Sequence, residues 1–78
     1  MITLEVSPKG VRITYLHPAL VDDAQKILAK FAELFQYTNG PEDFARTVEA
    51  ILSVVVDVEI RKTDNDTYLI SLRLPQFT

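Results

Sequence analysis

Residues 2–16 read ITLEVSPKGVRITYL, and this stretch sets the class of fold. Apolar residues occupy alternate positions on both sides of Ser7-Pro8-Lys9-Gly10, which is the pattern of two half-buried strands joined by a turn. Proline and glycine suit the φ angles of such a turn. A four-residue loop fixes the register, so that Ile2 is expected opposite Tyr15 on the apolar face. The stretch therefore predicts an antiparallel hairpin.

Two helical patterns follow this hairpin. The residue before a proline avoids the helical region, so His17-Pro18 should end the second strand and start the first helix near Pro18. Asn39-Gly40-Pro41 should separate the helices, because glycine can end a helix and proline can begin one. Apolar residues recur at helical spacing at Leu20, Ala24, Ile27, Leu28, Phe31 and Phe35, and then at Phe44, Val48, Ile51 and Leu52. We expect an antiparallel or angled helix pair.

A second hairpin is predicted after the helices. The run Val54-Val55-Val56 favours a strand, since β-branched residues suit extended backbone. Alternation continues to Ile60, and the loop Asp64-Asn65-Asp66 leads into a returning strand that Pro75 ends. This loop sets Ile60 against Ile70, Val58 against Leu72 and Asp57 against Arg73.

The order of these patterns predicts an α+β fold with the order β-β-α-α-β-β. It has two layers, with two helices packed on one face of a four-stranded antiparallel sheet, in a single domain over residues 1–78. The strand order between the hairpins stays open. A chain this short buries only about 60 to 65% of its unfolded surface. We therefore expect a homodimer, formed through a sheet edge or the outer sheet face.

Composition excludes several classes of protein. The chain is 47% hydrophobic and 24% charged, which is typical of a globular protein, and it has no cysteine for disulfides or thiolate metal sites. It shows no signal-peptide pattern and no apolar run near the roughly 20 residues that span a bilayer. We expect a complete, cytoplasmic protein with no membrane association. The net charge of −3 disfavours nucleic acid as a partner.

The pattern contains no convincing catalytic, metal or cofactor site. His17 is the only histidine, and no serine or carboxylate stands at a spacing that indicates a dyad. Asp64-Asn65-Asp66 lacks the glycine and the glutamate that a calcium loop needs further along. Glu42 and Asp43 suit the start of a helix better than acid–base chemistry. We expect no catalytic residue, no metal and no cofactor.

Surface apolar residues point to a binding role. The outer face of the predicted sheet should carry Leu16, Val55 and Leu69 beside Arg73, and a cluster of them would form an interface. Rings at the end of the first helix and in the tail lie where intramolecular burial is difficult. The predicted partner-binding residues are Leu16, Val55, Leu69, Arg73, Phe35, Tyr37 and Phe77.

These observations predict a small acidic protein–protein interaction module, an adaptor, accessory subunit or inhibitor that binds another protein without catalysis. One alternative is a nucleic-acid-binding regulator, which needs a basic patch on the sheet face from Arg12, Arg61, Lys62 and Arg73. A second alternative is a small enzyme with a site between subunits, resting on His17, Glu42, Asp43 and the tyrosines.

Overall fold

The computed structural model describes residues 1–64 and 66–74. Its elements are β1 (Ile2–Ser7), β2 (Gly10–Leu16), a 3₁₀ helix (Pro18–Asp23), α1 (Ala24–Gln36), α2 (Pro41–Leu52), β3 (Asp57–Asp64) and β4 (Thr67–Arg73). This arrangement confirms the predicted α+β fold of β-β-α-α-β-β order. No helix in the described part of the chain is long and apolar enough to cross a membrane.

The four strands form one open antiparallel sheet in the order β2-β1-β4-β3. β1 and β4 are the central pair, and β2 and β3 are the edges. The central strands supply most of the buried core: Ile2, Leu4, Val6, Ile70 and Leu72. Alternation along each strand directs these side chains to the face that the helices cover.

Both helices lie on that face, but they are buried to different extents. α2 packs on β4, β3 and β1 and buries Phe44, Ala45 and Val48, whereas α1 lies mainly over β2. The helices meet through rings, because Phe44 packs edge-on against Phe35 and Phe31, with ring centroids 5.7 and 6.3 Å away. Phe35 therefore belongs to the helix–helix contact and is turned toward the core.

The hairpin registers confirm most of the predicted pairs, with one correction in β2. Val58 pairs with Leu72, Ile60 with Ile70 and Asp57 with Arg73, as predicted, but Ile2 pairs with Leu16 and not with Tyr15.

The cause of this correction is a β-bulge. Thr3 pairs with Tyr15 and Leu4 pairs with Ile13, so Thr14 is the extra residue. Residues beyond a bulge point to the opposite face of the sheet from the one that strict alternation predicts. Leu16 consequently packs against the core, and its predicted place on the outer face is wrong. Tyr15 lies on the outer face instead.

The start of the first helix and the start of the third strand also differ from the prediction. The chain after His17 first forms a 3₁₀ turn, with Leu20 N–H donating to the His17 carbonyl at 2.8 Å, so α1 begins only at Ala24. Val54 and Val55 are not in a strand, because the Val55 and Val56 amides both donate to the Leu52 carbonyl and prolong the end of α2 as a turn.

The loop of the second hairpin is also shorter than predicted. β3 continues to Asp64, which pairs with Thr67 after a register shift that follows Lys62. The predicted end of the sheet at Pro75 lies outside the described residues.

Candidate protein-binding surfaces

The outer face of the sheet is covered by no described element. Cross-strand pairing arranges its centre in two rows. One row is Tyr15, Thr3, Ser71 and Glu59. The other is Arg12, Glu5, Leu69 and Arg61. Leu69 is therefore the apolar side chain at the centre of the face, between a glutamate and an arginine, while Tyr15 lies on the β2 edge and is 47% exposed. The face is polar and has no contiguous apolar cluster among the described residues.

Charges on this face are balanced. Its arginines are Arg12, Arg61 and Arg73, and its carboxylates are Glu5, Asp57 and Glu59. Arg12 forms an ion pair with Glu5, but exposed ion pairs of this kind contribute at most about 1 kcal/mol. Lys62 lies on the other face, with its Nζ 5.9 Å from the centre of the Tyr68 ring. Three of the four basic residues that the nucleic-acid alternative needs therefore lie on this face, and Lys62 does not. The three carboxylates on the same face balance the positive charge of the three arginines.

The predicted binding residues do not gather into one site. Leu16 and Phe35 pack against the core, so neither is available to a partner in the way predicted. Leu69 and Arg73 share the outer face. Tyr37 lies just beyond α1 and is 82% exposed, far along the molecule from Val55 in the turn after α2. Phe77 lies outside the described residues.

A different apolar surface forms where α2 ends. Ile51 is 56% exposed, Val54 81% and Val55 64%, so three large apolar side chains within five consecutive residues face solvent. We call these three residues the α2 corner. Leu52 and Val56, between and beside them, pack against the core. The turn that follows α2 therefore divides this apolar segment between the interior and the surface.

Sequence reasoning identified only Val55 of this surface, and on the wrong structural element. Ile51 was expected in the buried stripe of α2, and Val54 in a strand. A signal was present, since residues 51–56 read ILSVVV and a helix end can bury only one side of such a segment. An apolar run longer than its element can bury leaves some members exposed.

Asp57 borders the α2 corner. A shallow depression of about 210 Å³ runs along Ser53, Val54, Val55, Val56 and Asp57. Glu49 lies one helical turn before Ser53, whose amide donates to its carbonyl, and the Glu49 side chain is exposed. The apolar surface is thus adjacent to carboxylates.

The residues considered for catalysis have local structural contacts. His17 Nδ1 accepts a hydrogen bond from the Ala19 amide at 3.0 Å, which is a capping arrangement. Glu42 pairs with Arg46 one turn along α2 at 3.1 Å. Asp43 accepts from the Asn39 amide at 2.8 Å. Within residues 1–64 and 66–74 no group of three or more His, Cys, Asp or Glu side chains could hold a metal ion.

The depressions formed by residues 1–64 and 66–74 are open to solvent. One of them measures about 300 Å³ and lies beside the first hairpin, lined by Glu5, Ser7, Lys9, Gly10, Val11 and Arg12. Ligand pockets usually bury most of their ligand within mainly apolar walls. This depression has charged walls and opens to solvent.

Comparisons of the chain with family models, with curated proteins and with solved structures found no match.

Proposed function

We propose that this protein is a small protein–protein interaction module, an adaptor, accessory subunit or inhibitor, that binds its partner through the α2 corner. The observation that supports the proposal is the joint exposure of Ile51, Val54 and Val55. Full burial of one such side chain contributes roughly 1.5 to 3 kcal/mol, so their transfer into a partner's surface supplies several kcal/mol of binding free energy. Scattered apolar residues on a surface are common, but three within five consecutive residues form a patch.

The partner that fits this surface is a protein with an apolar depression flanked by basic residues. Asp57 and Glu49 lie beside the apolar side chains, and the whole chain carries a net charge of −3. Opposite charge at the rim of an interface raises the association rate and excludes wrong partners more than it adds affinity. A cytoplasmic location and a homodimeric state are further proposals, and neither depends on the α2 corner.

The outer sheet face offers weaker support for partner binding. Leu69 is its central apolar residue, and the surrounding arginines and carboxylates cancel in charge. The same balance gives the nucleic-acid alternative no added support, because nonspecific affinity for phosphates requires an excess of positive charge. The enzyme alternative gains none either, since Glu42 and Asp43 line an open depression at the start of α2 whose lining does not include His17.

The first test is capture of the tagged protein from lysate of its host, with and without nuclease, and identification of the bound protein by mass spectrometry. The recovered partner is then titrated against purified variants. We expect Val54→Asp and Val55→Asp to weaken binding of that partner at least about tenfold, because each places a charge where an apolar contact forms.

Val21→Asp is the matched control. Val21 is as exposed as Val55, at 62% against 64%. It lies in the 3₁₀ helix before α1, and α1 packs mainly over β2, the edge of the sheet opposite β3. Val21→Asp should bind with unchanged affinity, and all variants should retain the circular dichroism spectrum of the parent. Equal binding by the Val54→Asp and parent proteins would exclude the α2 corner as the contact. Capture that disappears with nuclease would replace the proposal with the nucleic-acid alternative.

A further inference from the structure

The two edges of the sheet differ in regularity. β2 contains the bulge at Thr14, and a bulge disrupts the row of backbone groups that another strand must match. β3 pairs with β4 without a shift from Asp57 to Lys62, and no other described strand pairs with its outer side, which therefore presents six residues of regular strand. An exposed regular edge is a template for a further strand.

The sequence of β3 is self-complementary. Asp57, Glu59 and Arg61 alternate with Val58 and Ile60, which face the helix side and pack against the core. In an antiparallel pair of two β3 strands with Ile60 opposite Ile60 of the second copy, Glu59 lies opposite Arg61 and Arg61 opposite Glu59. Both charged pairs are attractive, and residues that face each other lie on the same side of the sheet.

The neighbouring registers each contain a like-charged pair. A shift that centres the pair on Glu59 places two glutamates opposite each other, although it also sets Asp57 opposite Arg61. A shift that centres it on Arg61 places two arginines opposite each other. Like charges directly opposite destabilise a strand pair. A shift by one residue would set apolar side chains against charged ones on the wrong face. Among registers centred on a residue from 58 to 62, the one centred on Ile60 is the one without a like-charged pair.

We propose that two copies of this chain pair through β3, antiparallel and about a two-fold axis at Ile60, to form a continuous eight-stranded sheet. The interface is isologous, as in most homodimers, and the occupant of the β3 edge is a second copy. Ile60 gains a contact with its own counterpart, and the stem of Lys62 lies against Val58 of the other copy. This interface is separate from the α2 corner, so either proposal can fail alone.

Charge reversal tests the register by analytical ultracentrifugation over a concentration series. Glu59→Arg and Arg61→Glu should each raise the dimer dissociation constant at least about tenfold, because each replaces two attractive pairs with two repulsive ones. A mixture of the two variants should recover dimers, since every strand then meets one of opposite charge. The double variant Glu59→Arg, Arg61→Glu should also dimerise.

Arg12→Glu is the control, because it reverses an arginine on the outer face of the other edge strand, and it should leave the dissociation constant unchanged. A parent protein that stays monomeric at the highest concentration would overturn the proposal. So would a dimer that Glu59→Arg and Arg61→Glu leave intact, or a mixture of these variants that stays monomeric.

A thiol test examines the same register independently. The chain has no cysteine, so Ile60→Cys introduces a single thiol at the proposed axis. Two copies should form a disulfide under mild oxidation, because opposite residues in a strand pair lie within disulfide reach. Val58→Cys should not, since in this register the two Val58 positions are offset by four residues, about 13 Å. Efficient cross-linking through Val58→Cys with none through Ile60→Cys would overturn the register.

Discussion

Phe44 is the residue at which α1, α2 and the sheet meet. It is fully buried, and its ring contacts those of Phe31 and Phe35 edge-on. Edge-to-face ring pairs add about 0.5 to 1.5 kcal/mol each to the effect of burial. α1 has no fully buried residue, so its attachment depends heavily on these rings.

We expect Phe44→Ala to lower the free energy of unfolding by about 3 to 5 kcal/mol, which approaches the whole stability of a small domain. Urea denaturation followed by circular dichroism measures the change. Tyr37→Ala removes a ring of similar size from an exposed position, and its effect should stay within about 0.5 kcal/mol. Similar losses for both variants would contradict the role assigned to Phe44.

Contacts of single residues could be predicted from the sequence where they depend on local spacing, and not where they depend on how an element ends. The pairs Glu5–Arg12 and Glu42–Arg46 were predictable, because each depends only on local spacing in a hairpin or a helix. The exposure of Val54 and Val55 was not, since their β-branched side chains favour strands and a turn at the end of α2 outweighed that preference. Most of the proposed binding surface depends on this one turn.

At the scale of elements, the bulge in β2 decides which side chains reach the core. Ile13 and Leu16 both face the helices, and Thr14 is the residue that has no counterpart on β1. Turn length predicts register only up to the first bulge, and nothing in RITYL signals where that bulge falls. The pairing predicted from strict alternation is therefore wrong for Tyr15 and Leu16, and it is confirmed in the second hairpin from Asp57 to Lys62.

Deletion of Thr14 should be tolerated. The remaining residues Ile13, Tyr15 and Leu16 then alternate regularly and keep their present partners on β1, so we expect a folded protein whose free energy of unfolding changes by less than about 1.5 kcal/mol. Thermal and urea denaturation test this expectation. Deletion of Arg12 is the contrasting variant, because it transfers Val11 to the wrong face and should cost several times more. Loss of folding in the Thr14 deletion alone would show that the bulge is structurally required.

At the scale of the whole molecule, the central pair β1–β4 could not be predicted from local patterns. The pairs within each hairpin lie close together in the sequence, whereas Leu4 and Ile70 become neighbours only when the rest of the chain has folded between them. Hydrophobic alternation shows that both strands have an inner face, but it leaves several orders of the two hairpins equally consistent. The element order was predictable, and the strand order was not.

A circular permutant tests this architecture. Ile2 pairs with Leu72, so β1 begins at the end of the sheet where β4 finishes, and the permutant connects the two ends of the chain through a flexible linker. With new ends between Asn39 and Gly40, we expect the permutant to fold with the same sheet, measured by circular dichroism and amide hydrogen exchange. A permutant that fails to fold would contradict the β1–β4 pairing.

The central position of the β1–β4 pair also shapes the route to the folded state. Each hairpin can close in microseconds, but the contact between β1 and β4 requires closure of a loop that contains both helices. The conformational entropy of this loop must be lost before any core contact compensates for it. Folding should therefore be limited by the docking of two preformed halves. Until that step, each half exposes the bare edge of a central strand, so the slow phase of folding is also the period in which the chain is most open to aggregation.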